Sequence, residues 1–413
     1  MTTTGKIELM APAGNFESLQ AAIDNGADSV YFGVEQLNMR ARATMNFTLE
    51  DLPEIARRCK EKKVRTYLTL NTIVYDHDLS IVKTLLQKAK DADLTAVIAS
   101  DQAVIAMART IGLEVHISTQ LNVTNIETVK FYALFADTIV LSRELSLRQV
   151  AKITEAIEKE QIKGPSGNLV EIEIFGHGAL CMAVSGKCYL SLHSHNSSAN
   201  RGACKQNCRK KYTVIDQESG FEIEIDNEYM MSPKDLCTLD FLDQVIDTGI
   251  KVLKLEGRGK GADYVAVVTK TYRAAIDAYY EGNFTEKNVT KWMTDLRTVY
   301  NRDFWSGYYL GQKLGEWSDV PGSVATQKKV YVGKAMHYFQ KASIGEFKVE
   351  AYDIKVGDKI LITGPSTGAQ ELIIDELFAN GEKVEKATKG DDATFKLPFR
   401  VRLSDKMYKI VEA

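Results

Sequence analysis

The feature that most constrains the fold is an alternation that persists from residue 6 to residue 258. Short β-branched runs alternate there with amphipathic helical stretches, and many of the runs end in polar residues. The predicted strands are Ile7–Ala11, Ser29–Phe32, Arg65–Leu70, Ala96–Ala99, Glu114–Ile117, Thr138–Leu141, Val170–Phe175 and Lys251–Leu255. Between them lie helical patterns such as Phe16/Leu19/Ile23 and Val104/Met107/Ala108/Ile111, the second closed by Gly112 at a C-cap position. Strands that alternate with helices make a parallel sheet, and eight is the number that closes a TIM-like (β/α)8 barrel. An open doubly wound sheet is the other solution, but no GxGxxG follows the first strand.

At 413 residues the chain is too long for one simple core. We expect the barrel to occupy residues 1–283, ending in the helical stretch 264–281, and a mixed, partly helical bridge to span 284–327. From residue 328 to 413 the pattern changes to period-two strands with turns at Gly357-Asp358 and Gly364-Pro365, which predicts a small antiparallel β-barrel. No run of 18 apolar residues exists, so no membrane span is expected. The first residues lack the basic start and apolar core of a signal peptide. A cytoplasmic location is the expectation, with cysteines as thiols or metal ligands rather than disulfides.

In such a barrel the chemistry sits at the C-terminal ends of the strands. Those positions predict a polar ring: Asn15, Arg40 and Arg42, Asn71, Asp101, Ser118 and Gln120, Arg143 and Glu144, His177, and finally Glu256 and Arg258. Plainer roles exist for several of them. Asp101 has the position of a helix cap, Asn15 that of a turn residue, and Arg143 and Glu144 can pair with each other. Together, four arginines facing one mouth suit an anionic ligand. Arg40, Arg42, Asn71, Gln120 and Arg143 are therefore candidate substrate contacts, and His177, Glu256 and Arg258 candidate catalytic residues.

The seventh unit is irregular. Residues 173–212 hold Cys181, Cys188, Cys204 and Cys208, and Cys237 follows shortly after, whereas Cys59 stands alone in a helical pattern as an inert apolar residue. The spacing is looser than that of common zinc or ferredoxin sites, so it indicates a thiolate-rich site without choosing zinc or iron–sulfur. Arg201, Lys205, Arg209, Lys210 and Lys211 follow with no acidic residue among them, in a chain of net charge −3. They are candidates for phosphate contacts, for balancing a negative cluster, or for a solvated face.

The segments APAGNFESLQAAIDNGADSVYFG, EIFGHGALCMAVSGKCYLS, NRGACKQNCRKKY, MSPKDLC and KLEGRGK together resemble the collagenase-like peptidase (U-32) family, from about Lys6 to the end of the chain. The resemblance implies a TIM-like barrel with a C-terminal barrel similar to the second domain of elongation factors. It also implies one of two activities. Members of the family hydroxylate RNA or ubiquinone precursors without oxygen, with prephenate as hydroxyl donor and, in several, a four-cysteine [4Fe–4S] cluster; the family name records peptide hydrolysis. Length and layout are most similar to members acting on the wobble uridine of tRNA. The family's cluster pattern maps onto Cys181, Cys188, Cys204 and Cys237, with Cys208 as the other candidate for the fourth position and zinc as the other metal. As a hydrolase the chain would activate water with His177 or Glu256. The sequence lacks HExxH and GxSxG, which favours RNA hydroxylation.

Overall fold

In a computed structural model, which describes residues 5–41, 46–210, 214–220, 222–223, 231–312, 315–320 and 322–413, eight parallel strands close into a barrel. The first seven are β1 (Glu8–Pro12), β2 (Ser29–Phe32), β3 (Arg65–Leu70), β4 (Ala96–Ala99), β5 (Glu114–Ile117), β6 (Thr138–Val140) and β7 (Glu171–Gly178). The eighth, Val252–Leu255, pairs with β7 on one side and with β1 on the other. Helices fill the crossovers. Phe16–Asp24 starts at Asn15, whose side chain accepts the Ser18 N–H, and Gln102–Thr110 starts at Asp101, which accepts the Ala103 N–H. Both residues are therefore helix caps. Helix Leu52–Glu61 buries Leu52, Ile55, Ala56 and Cys59 against the sheet, so Cys59 is packing material.

The barrel interior is only partly apolar. Met10, Tyr31, Tyr67, Ala96, Ile98 and Val252 form one small cluster inside it. Charge fills the rest: Lys254 Nζ lies 2.7 Å from Glu173 Oε1, and the Tyr67 hydroxyl donates to Glu8 Oε1 at 2.9 Å. Glu8 also pairs with Arg65, and His116 lies between Glu114 and Glu173. Glu8, Glu173 and Lys254 are all buried, so each depends on its partner.

Strand β7 runs past its expected end at Phe175, as far as Gly178. Its last residues pair with a short antiparallel strand, Asp235–Cys237, through Leu236↔Gly178 and Cys237↔His177. The register with the eighth strand slips between Lys254 and Leu255, a bulge that reorients the end of β7. Gly178 sits at φ +107°, and a Cβ there would lie 2.6 Å from the Glu256 carbonyl oxygen, so this close approach requires glycine.

Residues 179–210 fold over the strand ends as a cap. The Ile73 N–H donates to the Asn200 carbonyl, and Asn122 Nδ2 donates to the Ser185 carbonyl, tying the cap to the β3 and β5 ends. Helices Ala262–Tyr280 and Glu286–Arg297 pack outside, and strand Phe304–Trp305 extends the sheet beyond Asp235–Cys237. The remaining chain forms an antiparallel sheet built on strands Gln327–Phe339, Ile344–Val349, Lys359–Gly364 and Lys406–Glu412 around Val332, Phe347, Ile360, Phe395 and Met407. Gly368 brings it onto the first helix, where a Cβ would stand 3.0 Å from the Ala21 nitrogen. Among the described residues no helix is long and apolar enough to cross a membrane.

Candidate functional site

A cavity of about 190 Å³ opens where the strand ends meet the cap, with Tyr31, Lys254 and Arg258 at its base and Cys181, Cys188, Cys204 and Cys208 in its wall. A neighbouring cavity of about 200 Å³ shares Arg40, Arg143, Cys181, Cys204, Cys208 and Glu256, and continues to Lys260 and Arg302. The two form one mouth.

Its cations are held in place rather than hanging free. Arg258 is buried and donates to Asn38 Oδ1 at 3.1 Å and Thr69 Oγ1 at 2.9 Å. Gly33 makes room for it, since a Cβ there would lie 2.6 Å from Arg258 Nη1. Burial pulls the Arg258 guanidinium down to about 10, which still leaves it charged at neutral pH. Arg143 lies over the Phe175 ring at 4.0 Å and donates to the Ala179 carbonyl, while its buried Nε has no partner among the described residues. Arg40 pairs with Glu256 at 2.9 Å. Burial raises the Glu256 carboxyl, but Arg40, Arg143 and Lys260 outweigh it and hold the group below its usual range. Burial likewise lowers Lys254, against the pull of Glu173, and brings Lys260 down to about 8. Asn71 accepts the Met39 N–H and its amide lies 3.4 Å from Ser118 Oγ.

The four cap thiols line this mouth together. Cys181 is exposed, and Cys188, Cys204 and Cys208 are half-buried. Burial raises the Cys208 thiol, Arg209 opposes that, and Cys181, Cys204 and Cys188 add to it. Among the described residues no three His, Cys, Asp or Glu side chains converge tightly enough to hold a metal ion.

Cys237 is not part of this group. Its Sγ lies 3.7 Å from the Tyr272 hydroxyl and 3.8 Å from Met293 Sδ, on the helical side of the sheet, and burial pushes its thiol up to about 12. Cys208, the other candidate for the fourth position, lines the mouth with the cap thiols instead. His177 is also turned away. Glu173 and Phe175 face the barrel interior, and the bulge then directs His177 outward, against Tyr264, Tyr272 and Phe304 at ring distances of 6.1, 5.4 and 5.4 Å. Burial depresses it to about 3, so it is neutral at working pH and is absent from the walls of both cavities.

The basic stretch also divides. Arg201 pairs with Asp78 and donates to the Ile73 carbonyl. Arg209 donates to Ser232 Oγ, the Pro233 carbonyl and the Leu180 carbonyl. Both are internal ties of the cap, whereas Lys205 and Lys210 are exposed. The expected contacts at Arg42 and Lys211 lie outside the described residues. Lys254 and Tyr31 were not anticipated from sequence. Lys254 and Tyr31 lie within strands, where inward direction depends on register; a lysine in an otherwise apolar strand was the available signal for Lys254.

The model of Peptidase family U32 matches residues 14–319. A protein named collagenase from Porphyromonas gingivalis is 52% identical over 97% of this chain and 97% of its own length. An uncharacterized protease of Methanocaldococcus jannaschii is 38% identical over 98% of each chain. The tRNA hydroxylation protein P1 of Bacillus subtilis is 32% identical over 90% of this chain and 88% of its own. The motifs around the cap cysteines, the closed barrel and these matches agree, and the chain belongs to Peptidase family U32.

Proposed function

We propose that this chain hydroxylates RNA without oxygen, at the wobble uridine of tRNA, using a small dicarboxylate such as prephenate as hydroxyl donor and a [4Fe–4S] centre held by Cys181, Cys188, Cys204 and Cys208. The observation that carries this is that four thiols from one cap line a single mouth together with Arg40, Arg143, Lys254 and Arg258. Four thiols are the donor set of such a cluster, and the nearby guanidiniums suit its negative charge. When bound, the centre would supply Lewis-acid or one-electron chemistry at the mouth. The chain's own residues do the rest. Arg258 and Arg143 are pre-aimed by fixed contacts and suit a donor's carboxylates, Lys254 adds charge from below, and Glu256 keeps Arg40 oriented. Lys205 and Lys210 on the outer surface suit RNA phosphates.

The names of two relatives favour peptide hydrolysis instead. Against it stand the two candidate bases: His177 is sealed among rings, and a carboxylate held below its usual range by Arg40 is a weak base. The test has three arms: nucleoside analysis of tRNA from cells lacking the protein, a visible spectrum with metal content after purification without oxygen, and a peptidase assay. Loss of the hydroxylated wobble uridine with a broad iron–sulfur absorption is expected. Unchanged uridines with metal-dependent peptide cleavage would overturn the proposal, and a colourless protein holding one zinc would overturn its choice of metal.

A further inference from the structure

Beside the cation-lined mouth lies a second cavity of different character, about 460 Å³ in volume, within the range of small-molecule sites. The two share a wall made of Met39, Asn71, Gln120 and Gly186. The rest of the lining carries little charge. Gln102 and Asn200 contribute amides, and Asp101 is already engaged by the N–H groups of Ala103 and Val74. Lys187 is the one cation in the lining among the described residues. Tyr189, 75% exposed, is the most exposed of the large apolar side chains described, and it lines the same cavity.

Gln120 gives the cavity its direction. It sits in a turn, Thr119–Leu121, directly after β5, and Asn122 Nδ2 braces that turn by donating to the Gln120 carbonyl at 2.9 Å. Its side-chain Oε1 is buried in the shared wall, against Gly186, and receives no hydrogen bond from the described residues. A buried acceptor left unpaired is destabilising until something donates to it. An orphan acceptor, a lining of amides with little charge and an exposed ring for stacking together match a flat heterocycle with an N–H between two carbonyls.

We infer that this cavity receives one uracil-type base turned out of an RNA strand, with its N3–H donating to Gln120 Oε1. The inference rests on the RNA-hydroxylation proposal and assigns the base a seat that adjoins the anion's along Met39, Asn71, Gln120 and Gly186. Cytosine presents a bare N3 acceptor instead of N3–H, and 3-methyluridine presents a methyl group, so each leaves Oε1 unpaired at that position.

The test is binding of a stem–loop RNA whose target position carries uridine, cytidine or 3-methyluridine, read by fluorescence anisotropy with the full chain. The expected result is at least about tenfold tighter binding of the uridine form. In the Gln120→Leu variant that preference should vanish, and in Gln120→Glu, which keeps an acceptor, it should largely persist. Equal binding of the three RNAs by the wild-type protein would overturn the assignment, as would a full preference in Gln120→Leu. Because binding needs no turnover, the two proposals fail separately. A chain that discriminates without hydroxylating RNA keeps the base seat and loses the reaction; one that hydroxylates RNA without discriminating loses the base seat.

Discussion

The thiol wall and the ring-lined box behind it are built from the same residue types, a few residues apart, and do opposite things. Cys181, Cys188, Cys204 and Cys208 stand on an irregular cap, partly exposed, among guanidiniums. Cys237 and His177 face each other across a regular strand pair, sealed among Tyr264, Tyr272, Phe304 and Met293. Burial that holds a thiol up and an imidazole down removes both from chemistry at neutral pH. Residue type therefore nominates a site, and the side of the sheet decides which side chains reach the mouth.

The sharpest way to break this contrast is to remove one sulfur from each region. Cys204→Ala should abolish the broad visible absorption and lower turnover at least about 100-fold. Cys237→Ala should keep both, and reduce stability by about 1–2 kcal/mol in urea unfolding. If the two variants behave alike, the division is wrong. Next in size is Arg258→Ala, which removes a fixed cation at the base of the mouth. A loss of roughly 10–100-fold in kcat/KM for the donor is expected, with RNA affinity changed far less.

His177 supplies a test from the box side. Its folded-state value is about 3, against an ordinary value of 6.5, so between those pH values the unfolded chain binds a proton that the folded chain refuses. Stability should therefore fall as pH drops from 6.5 toward 3 and be unaffected by this group above 6.5, a contribution of up to roughly 4–5 kcal/mol. His177→Phe, which suits a box of rings, should flatten that slope in urea titrations and leave turnover at neutral pH within about threefold. A large loss of turnover with the slope unchanged would return His177 to the chemistry. The smallest effects belong to the outer surface: Lys205→Glu and Lys210→Glu should each weaken RNA binding a few-fold and reduce the salt slope by about one, while the visible spectrum stays intact.

The barrel was legible because its strands are short, β-branched and regularly spaced; β2, β3, β4 and β5 lie where the pattern places them. The mouth was legible as a set of strand-end polar residues, and Arg40, Arg143, Glu256 and Arg258 do meet there. What sequence could not show is direction. The extension of β7 depends on pairing with residues 235–237, far along the chain, and the bulge that turns His177 outward lies in its pairing with the equally remote eighth strand, Val252–Leu255. The pairing with residues 235–237 also sets Cys237 beside His177, away from the cap thiols. Arg201 and Arg209 looked like free positive charge because their partners, Asp78 and the carbonyls of Pro233 and Leu180, are remote in sequence.

The ion pair inside the barrel bears on how such a protein can change over generations. Lys254 both lines the mouth and neutralises Glu173, which is wholly enclosed and has His116 4.0 Å away. Altering Lys254 to suit a different ligand would strand a carboxylate in the interior, at a cost of ~3–5 kcal/mol, a large share of what holds a domain folded. A lineage can therefore retune Arg143, whose partner is the Ala179 carbonyl, one substitution at a time. The base of the mouth is inherited as a pair, and a new ligand chemistry there requires both members to change together.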